Sequence, residues 1–424
     1  MLPSASHPAP GMASLVWDAQ PDSYRPDYGR CLTGVYPTLL RLLGATPDSA
    51  GTLTEWLPTD SPREARRVLL MVVDAFGFKE LAQSNLFAAL YARHGTWITS
   101  VFPTITSTCL SSMHLGLPPA RHGVAGHVVW HDAPGAVLDM LRMQVQGATA
   151  TLQDSGFAMR LLKPEPGVVD NGLPAGLKRH QLMHRQIVGS GLSSLIYGST
   201  PLVGFMDPLE GLRKAGRMIE AMDWGWVGFY TEMIDTLVHV IGGDAPEVAV
   251  ALGYLEAALR GWARALPGGV LEETALMVVA DHGQSTITER LPFYGKSLAW
   301  LQSHTASLGH SGRVLHVTPR PGEEEAVAGW LREFVGNSGR VYSGEEVRPL
   351  GGPPAGDPAG EAAYRRSLGS QVAVLNPGIN WQKSDPAQRG SPFDSQLVSQ
   401  HGALGWDEMF IPFICAPATA LLEG

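Results

Sequence analysis

Two short apolar runs, each halted by an aspartate, constrain this chain more than any other feature. RRVLLMVVDAFG (66–77) and TALMVVADHG (274–283) carry β-branched residues, leucine and methionine without interruption until Asp74 and Asp281. A strand with one face in water alternates apolar and polar residues, whereas an unbroken run suits a strand buried on both faces, as in a parallel sheet covered by helices. Between the runs lie helical patterns such as EVAVALGYLEAALRGWARAL (247–266), with apolar residues recurring at three and four positions. Alternating strands and helices predict an α/β fold. In open parallel sheets, ligands gather outside the carboxyl ends of the strands, where both aspartates fall. Either aspartate alone reads equally well as a helix N-cap.

The length of 424 residues allows more than one domain. A different texture begins near 291: a strand over 313–319, a helix over 322–336, a strand over 340–344, and then GGPPAGDPAGE (351–361), whose glycine and proline read as a loop. Another apolar run, SQVAVLNPG (370–378), follows. The expected organisation is a peripheral N-terminal segment (1–62), an α/β core (63–290 together with 395–424), and a smaller α/β insert (291–394). Within the first segment only CLTGVYPTLLRLLG (31–44) is amphipathic, and no chemistry attaches to it.

Composition narrows the class. With 44% hydrophobic and 17% charged residues the chain is globular rather than disordered. A formal charge of −9 excludes a general binder of nucleic-acid polymers, which needs a basic stripe, but leaves room for a local anion site. Cys31, Cys109 and Cys415 are too few and too scattered for a disulfide framework or a Cys-rich zinc site, which suits a reducing compartment. The N-terminus lacks a basic stretch followed by an apolar one, and FIPFICAPATALL (410–422) is too short to cross a bilayer and holds two prolines. The expectation is a cytoplasmic protein with no membrane partner.

Metal ligation needs oxygen or imidazole donors converging from separate segments. Asp281-His282 ends its apolar run, and Gly283 frees the backbone to turn. In FYTEMIDTLVHVIG (229–242), Asp235 and His239 stand at i and i+4 on one helix face, after the candidate strand WVGFY. His401 opens HGALGWDEMFIPFI. Each has a bland reading of its own: a turn, an exposed ion pair, a structural histidine. FPTITSTCLSS (102–112) adds the hydroxyls of Thr104, Thr106, Ser107, Thr108, Ser111 and Ser112.

Taken in order, VVDAFG, FPTITSTCLSSMHLGLPPARHGV, YTEMIDTLVH, VVADHGQS and HGALGWDEMFIPF resemble the nucleotide pyrophosphatase/phosphodiesterase (type I phosphodiesterase) family of the alkaline phosphatase superfamily, from about residue 66 onward. The resemblance implies an alkaline-phosphatase-like α/β fold: a mostly parallel central sheet with helices on both faces and a small α/β insert. It also implies two divalent metal ions, usually zinc, with manganese and iron accepting similar donors. Carried over by motif, Asp74, Thr106, Asp281 and His282 surround one ion, and Asp235, His239 and His401 bind the other. Two ions about 4 Å apart can clamp the attacking and leaving oxygens of an in-line displacement. Their charge outweighs three aspartates, so an acidic protein can hold an anionic substrate.

In the family the nucleophile is a threonine or serine ten residues before the first glycine of a G-x-x-P-x-x-H-G segment. Here that glycine is Gly116, and the count returns Thr106. Metal coordination would lower the hydroxyl's pKa, and the helix N-terminus behind it offers N–H groups to phosphoryl oxygens. Ser107 and Thr108 then belong to the first turn, Ser111 and Ser112 to the helix body. The family's asparagine three residues beyond the nucleophile is replaced by Cys109, a weak donor, leaving that contact to the Ser107 backbone, Thr108 or a water.

The implied activity is two-metal-dependent hydrolysis of phosphodiester or nucleotide pyrophosphate bonds through a phospho-threonine on Thr106, with a small phosphorylated substrate such as a nucleotide. A phosphomonoesterase or phosphonate hydrolase is the alternative within the same site. A non-catalytic metal-binding relative is the alternative of another class, although every expected ligand position is filled. A formylglycine sulfatase is disfavoured by the lack of a C-x-P-x-R or S-x-P-x-R segment. Arg121, His122 and His127 read as structural, and Phe76 and Phe78 as core aromatics before base-stacking ones.

Overall fold

The computed structural model describes residues 2–18, 22–45, 51–162, 165–168, 173–384 and 397–423. Its larger sheet runs in the order β2 (Gly95–Thr99), β18 (Phe410–Pro417), β9 (Thr274–Val279), β1 (Arg67–Val73), β8 (Gly225–Thr231), β6 (Lys178–His184), β7 (Leu202–Phe205). Neighbours pair in parallel except β18, which is antiparallel to both β2 and β9. Every residue of β1, β8 and β9 is buried, the physical reason their sequences show no alternation.

Register decides where the acidic residues emerge. Val72 pairs with Val279, and Asp74 and Asp281 each lie two residues beyond that pair, at one level on one edge of the sheet. β8 ends at Thr231 opposite Val73, so the helix that follows it, Met233–Ile241, starts on the same side. The helix Thr106–Leu115 closes on Gly116, whose φ of 65° is the left-handed conformation a C-terminal glycine tolerates.

A second sheet is antiparallel throughout, in the order β14 (Gly339–Ser343), β15 (Gln371–Leu375), β13 (Val314–Pro319), β12 (Thr305–Ser311), β3 (Val128–His131), β4 (Ala136–Asp139), β5 (Gln144–Val145). It therefore combines strands from 305–375 with a hairpin and edge strand from 128–145. Helix Glu324–Val335 covers it through Val327 and Leu331, which join Leu315, Val317 and Trp381 in a small core. Two short pairs stitch the chain together: β10 (Ser285–Thr286) antiparallel with β17 (Ser399–Gln400), and β11 (Glu289–Pro292) parallel with β16 (Ile379–Gln382).

The N-terminal helix Val35–Leu42 shares the main core, with Leu39 and Leu40 buried alongside Val68. The segment 351–361 is not wholly a loop. Helix Pro358–Leu368 begins inside it, with the Asp357 side chain accepting from the Ala359 and Gly360 amides at 3.2 and 3.1 Å. Proline at the first helical position loses no hydrogen bond, so the residue that looked like a breaker is a starter. The expected return to the core near 395 lies outside the described residues. Among the described residues no helix is long and apolar enough to cross a membrane.

Leu70 sits fully buried mid-way along β1, between Gly228 and Met277. Leu70→Ala should cost about 2–5 kcal/mol of unfolding free energy in urea, whereas Val250→Ala, at a side chain 74% exposed, should change it by less than about 0.5 kcal/mol. Equal losses would contradict β1 as the centre of the sheet.

Candidate active site

The chain turns sharply after β1, with Ala75 in the left-handed region at φ 58°. Its amide donates to Asp281 Oδ1 at 3.3 Å, and the His282 amide donates to the same oxygen at 3.0 Å. Asp281 Oδ2 is left buried with no hydrogen-bond partner. Asp74 is treated likewise: the Tyr230 hydroxyl donates to Oδ2, and Oδ1 is buried without a partner. His282 Nε2 stands 3.6 Å from Asp74 Oδ1, 3.3 Å from Asp281 Oδ2 and 3.2 Å from Thr106 Oγ1. Four donor atoms from three chain segments thus face one point.

A second group adjoins it. His239 Nε2 lies 3.3 Å and His401 Nε2 3.7 Å from Asp235 Oδ1, and the His282 and His401 rings stack at 3.7 Å. Gln284 Nε2 donates to Asp235 Oδ1 at 2.5 Å. Each histidine turns Nδ1 toward a backbone carbonyl: His239 to Ser399 O at 2.9 Å, His401 to Thr104 O at 2.8 Å, His282 to Gly283 O at 3.2 Å. A carbonyl can only accept, so each Nδ1 carries a proton and Nε2 faces the carboxylates; once Nε2 is deprotonated, this is the tautomer a metal ligand requires. Asp74, Asp281 and His282 have ligand atoms mutually within 4.8 Å, as do Asp235, His282 and His401. His282 stands between the two sets, and His239 reaches the second through Asp235.

The electrostatics match a missing positive charge. Burial pushes the Asp74 carboxyl well above its usual range, and Asp281 and Asp235 push it further. The Tyr230 phenol rises for the same reasons, burial first and Asp74 next. For Asp235 burial acts upward too, yet His239, His401 and His282 outweigh it and hold the carboxyl below the ordinary range. His401 is depressed well below its usual value by burial and by His282. Partnerless buried oxygens on Asp74 and Asp281, beside three oriented imidazoles, fit a divalent cation.

Thr106 opens its helix. The Thr108 and Cys109 amides donate back to Ile105 O, both at 2.9 Å, which leaves the Thr106 and Ser107 amides at the helix mouth. The neighbouring hydroxyls have structural partners: Ser107 Oγ donates to Gly126 O (3.0 Å), Ser111 Oγ to Ser107 O (2.6 Å), and Ser112 Oγ meets His122 Nε2 (2.8 Å). Thr108 Oγ1 is buried without a partner. Cys109 Sγ points into the core, 3.2 Å from Ser100 Oγ and 3.8 Å from Pro103 O, and burial drives its thiol pKa well up. Phe76 packs on Phe87 and Phe78 on Tyr91 and Trp406, which places both aromatics in the core.

Several residues that hold the site were given no role by the sequence. Tyr230 and Gln284 lie inside the quoted segments YTEMIDTLVH and VVADHGQS, one residue before the end of β8 and one after Gly283, and their positions were a usable signal. Glu408 lies inside HGALGWDEMFIPF, but its pairing with Arg313, 95 positions away, carried no signal. Both are fully buried, and the guanidinium binds Glu408 Oε1. Glu408 also accepts from Ser285 Oγ (2.8 Å) and the Ala403 amide (2.7 Å), with Thr104 Oγ1 at 3.1 Å.

A cavity of about 420 Å³ opens over Thr106, Asp74, Asp235 and Tyr230 and continues between aliphatic side chains. A larger one, about 630 Å³, lies against the second sheet beside Trp130 and Arg365 and holds none of these residues.

Residues 68–349 match the model of the family described as type I phosphodiesterase / nucleotide pyrophosphatase. Among solved structures, an inactive variant of murine ectonucleotide pyrophosphatase/phosphodiesterase 5 in complex with AMP is similar at a TM-score of 0.59 and 18% identity, over 83% of this chain and 88% of that one. Its human counterpart gives 0.57 and 16% over 82% and 87%. Phosphonoacetate hydrolase from Sinorhizobium meliloti, in complex with phosphonoacetate, gives 0.56 and 14% over 86% and 97%. At these identities the likeness is one of fold. No curated protein sequence matches the chain.

Removing Arg313 strands a buried carboxylate. Arg313→Met should destabilise the protein by about 3–5 kcal/mol in urea unfolding, and adding Glu408→Gln should recover part of that loss. A single variant within 0.5 kcal/mol of the parent, on the roughly neutral scale of surface pairs, would refute the role of the pair.

Proposed function

The chain belongs to the type I phosphodiesterase / nucleotide pyrophosphatase family, and on that premise we propose that it is a metal-dependent hydrolase of small phosphodiesters or nucleotide pyrophosphates, with Thr106 as nucleophile. One observation carries the reading: Thr106 Oγ1 sits at a helix mouth 3.2 Å from His282 Nε2, beside the partnerless carboxylate oxygens of Asp74 and Asp281. In this reading Asp74, Thr106, Asp281 and His282 hold one divalent ion, and Asp235, His239 and His401 another. Zinc is the expected metal, with manganese or iron as substitutes. Bound ions of this kind supply Lewis acidity to phosphoryl oxygens and favour the ionised hydroxyl.

The chain's own residues do the rest. Thr106 Oγ1 gives up its proton to solvent and attacks phosphorus, the bond from phosphorus to the leaving oxygen breaks, that oxygen takes a proton from solvent, and a phospho-threonine remains. Water then attacks the same phosphorus, and the Thr106–phosphorus bond breaks to restore the hydroxyl. The Thr106 and Ser107 amides at the helix mouth offer donors to the phosphoryl oxygens. Tyr230 and Gln284 keep Asp74 and Asp235 from rotating away. Cys109, turned toward Ser100, contributes nothing to the phosphoryl group.

The decisive comparison is bis(p-nitrophenyl) phosphate against p-nitrophenyl phosphate. The diester should be preferred, and Thr106→Ala should lower kcat by about 10³-fold or more with metal content unchanged. Full activity in that variant would eliminate Thr106 as nucleophile, and preference for the monoester would make the protein a phosphatase on the same site.

Metal removal tests the centre itself. Chelator-stripped protein should melt at a lower temperature and recover on adding zinc or manganese, since saturation at 100 times Kd contributes about 2.7 kcal/mol. A chain that neither binds these metals nor gains stability or activity from them would be a non-catalytic relative.

A further inference from the structure

The cavity above Thr106 is chemically lopsided. One end carries Asp74, Thr106, Tyr230 and Asp235; the other is walled by Leu110, Leu141, Met183, Ile187, Leu192 and Ile196. Leu110 stands one helical turn beyond Thr106, so the apolar wall begins directly beside the proposed nucleophile. The polar side chains of Gln186, Ser190 and Ser193 also line the cavity, and the two serines are engaged. The Ser190 and Ser193 hydroxyls meet each other at 2.9 Å, with Ser193 Oγ also 3.4 Å from Ile187 O.

The two lining aromatics are committed as well. The Tyr230 hydroxyl is held by Asp74, and Tyr197, only 5% exposed, packs edge-on against His114 at 4.6 Å. Neither offers an open face of the kind on which a nucleobase stacks. Also lining the cavity, the exposed Arg142 lies 3.5 Å from Asp139, and Glu232 lies 3.8 Å from His184 Nδ1. What the wall offers a substituent is burial of apolar surface, with few hydrogen bonds.

On the reading of Thr106 as nucleophile, the geometry points to a substrate whose phosphorus carries an uncharged, mainly aliphatic substituent and an ester oxygen that leaves: an alkyl phosphodiester or an alkylphosphonate ester rather than a nucleotide. The alkyl chain occupies the space between Leu110 and the helix Gly191–Ile196, and the phosphoryl group stays at the Thr106 end.

Binding of product-like probes tests the wall separately from catalysis. The metal-loaded full chain is titrated by calorimetry with methylphosphonate, n-hexylphosphonate and thymidine 5′-phosphate. Each buried methylene is worth roughly four-fold in affinity, so n-hexylphosphonate should bind at least about 10-fold tighter than methylphosphonate even if only two of its added methylenes are covered. Thymidine 5′-phosphate should bind no tighter than methylphosphonate, and Ile196→Gln should bring the hexyl-to-methyl ratio toward one. Equal affinity of the two phosphonates, or tighter binding of thymidine 5′-phosphate, overturns the assignment whatever the variant does. Hydrolysis of p-nitrophenyl hexyl phosphate is followed in parallel. Hexyl selectivity in binding without any hydrolysis would uphold the aliphatic wall while removing the hydrolase reading on which its use rests.

Discussion

The buried ion pair of Arg313 and Glu408 is the interaction on which the candidate site depends. Taking two charges out of water is expensive, and their attraction offsets it only when the remaining donors and acceptors are also engaged. Here the Glu408 oxygens and the Arg313 Nη1 and Nη2 groups are engaged, while Arg313 Nε is buried without a partner. Glu408 gathers Thr104, two residues before Thr106; Ser285, three residues after His282; and Ala403, two residues after His401. Arg313 in turn donates to Asn376 O at 2.5 Å, at the end of β15 in the second sheet. One carboxylate thus sets the relative positions of three segments that bear site residues, and one guanidinium ties them to the neighbouring sheet. An apolar pair of the same volume could fill the space, but it would hold none of the three segments at a fixed distance.

The main sheet supplies the complementary constraint. β1, β8 and β9 are buried along their whole length, and their parallel register brings Asp74, Asp281 and the Asp235 helix to one edge. Burying Asp74 beside Asp281 and Asp235 opposes folding, as the upward shift of its carboxyl records, burial first and the two neighbouring carboxylates next. Each carboxylate nevertheless receives an orienting donor: Tyr230 on Asp74, two backbone amides on Asp281, Gln284 on Asp235. The arrangement accepts like-charge repulsion in exchange for fixed oxygen positions, which is how a preformed cation site differs from an ordinary acidic patch.

Much of this was legible in the sequence because its signals are local. An unbroken apolar run ended by aspartate marks a doubly covered strand and its carboxyl end together, and helical spacing puts Asp235 and His239 on one face, although that spacing alone reads more readily as an exposed ion pair. Thr106 and His401 needed the resemblance, since a hydroxyl-rich turn and a single histidine carry no unique spacing of their own. The start of the helix Pro358–Leu368 was hidden by proline and glycine whose role depends on the cap residue Asp357. The strands over 128–145 were hidden by brevity, the last of them two residues long. The pairing of Arg313 with Glu408 was invisible for a stronger reason: two residues 95 positions apart share no window of sequence.

Cys109 shows how a departure from a family pattern can be absorbed by structure. Its thiol sits 3.2 Å from Ser100 Oγ, and that hydroxyl donates to Asp281 O at 2.6 Å. The side chain three residues past Thr106 therefore packs under the strand end that carries Asp281, instead of reaching toward a phosphoryl oxygen. A small, soft, buried group suits that place, because a larger amide there would need partners in a core that has already used the Ser100 hydroxyl. The donors left for a phosphoryl group are then backbone amides at the mouth of the Thr106 helix, whose positions depend on the helix itself and on Thr104 beneath it. Thr104 is held by the Gly402 amide at 3.0 Å and by Glu408. The loss of one polar side chain thus shifts weight onto the same buried pair that positions the rest of the site.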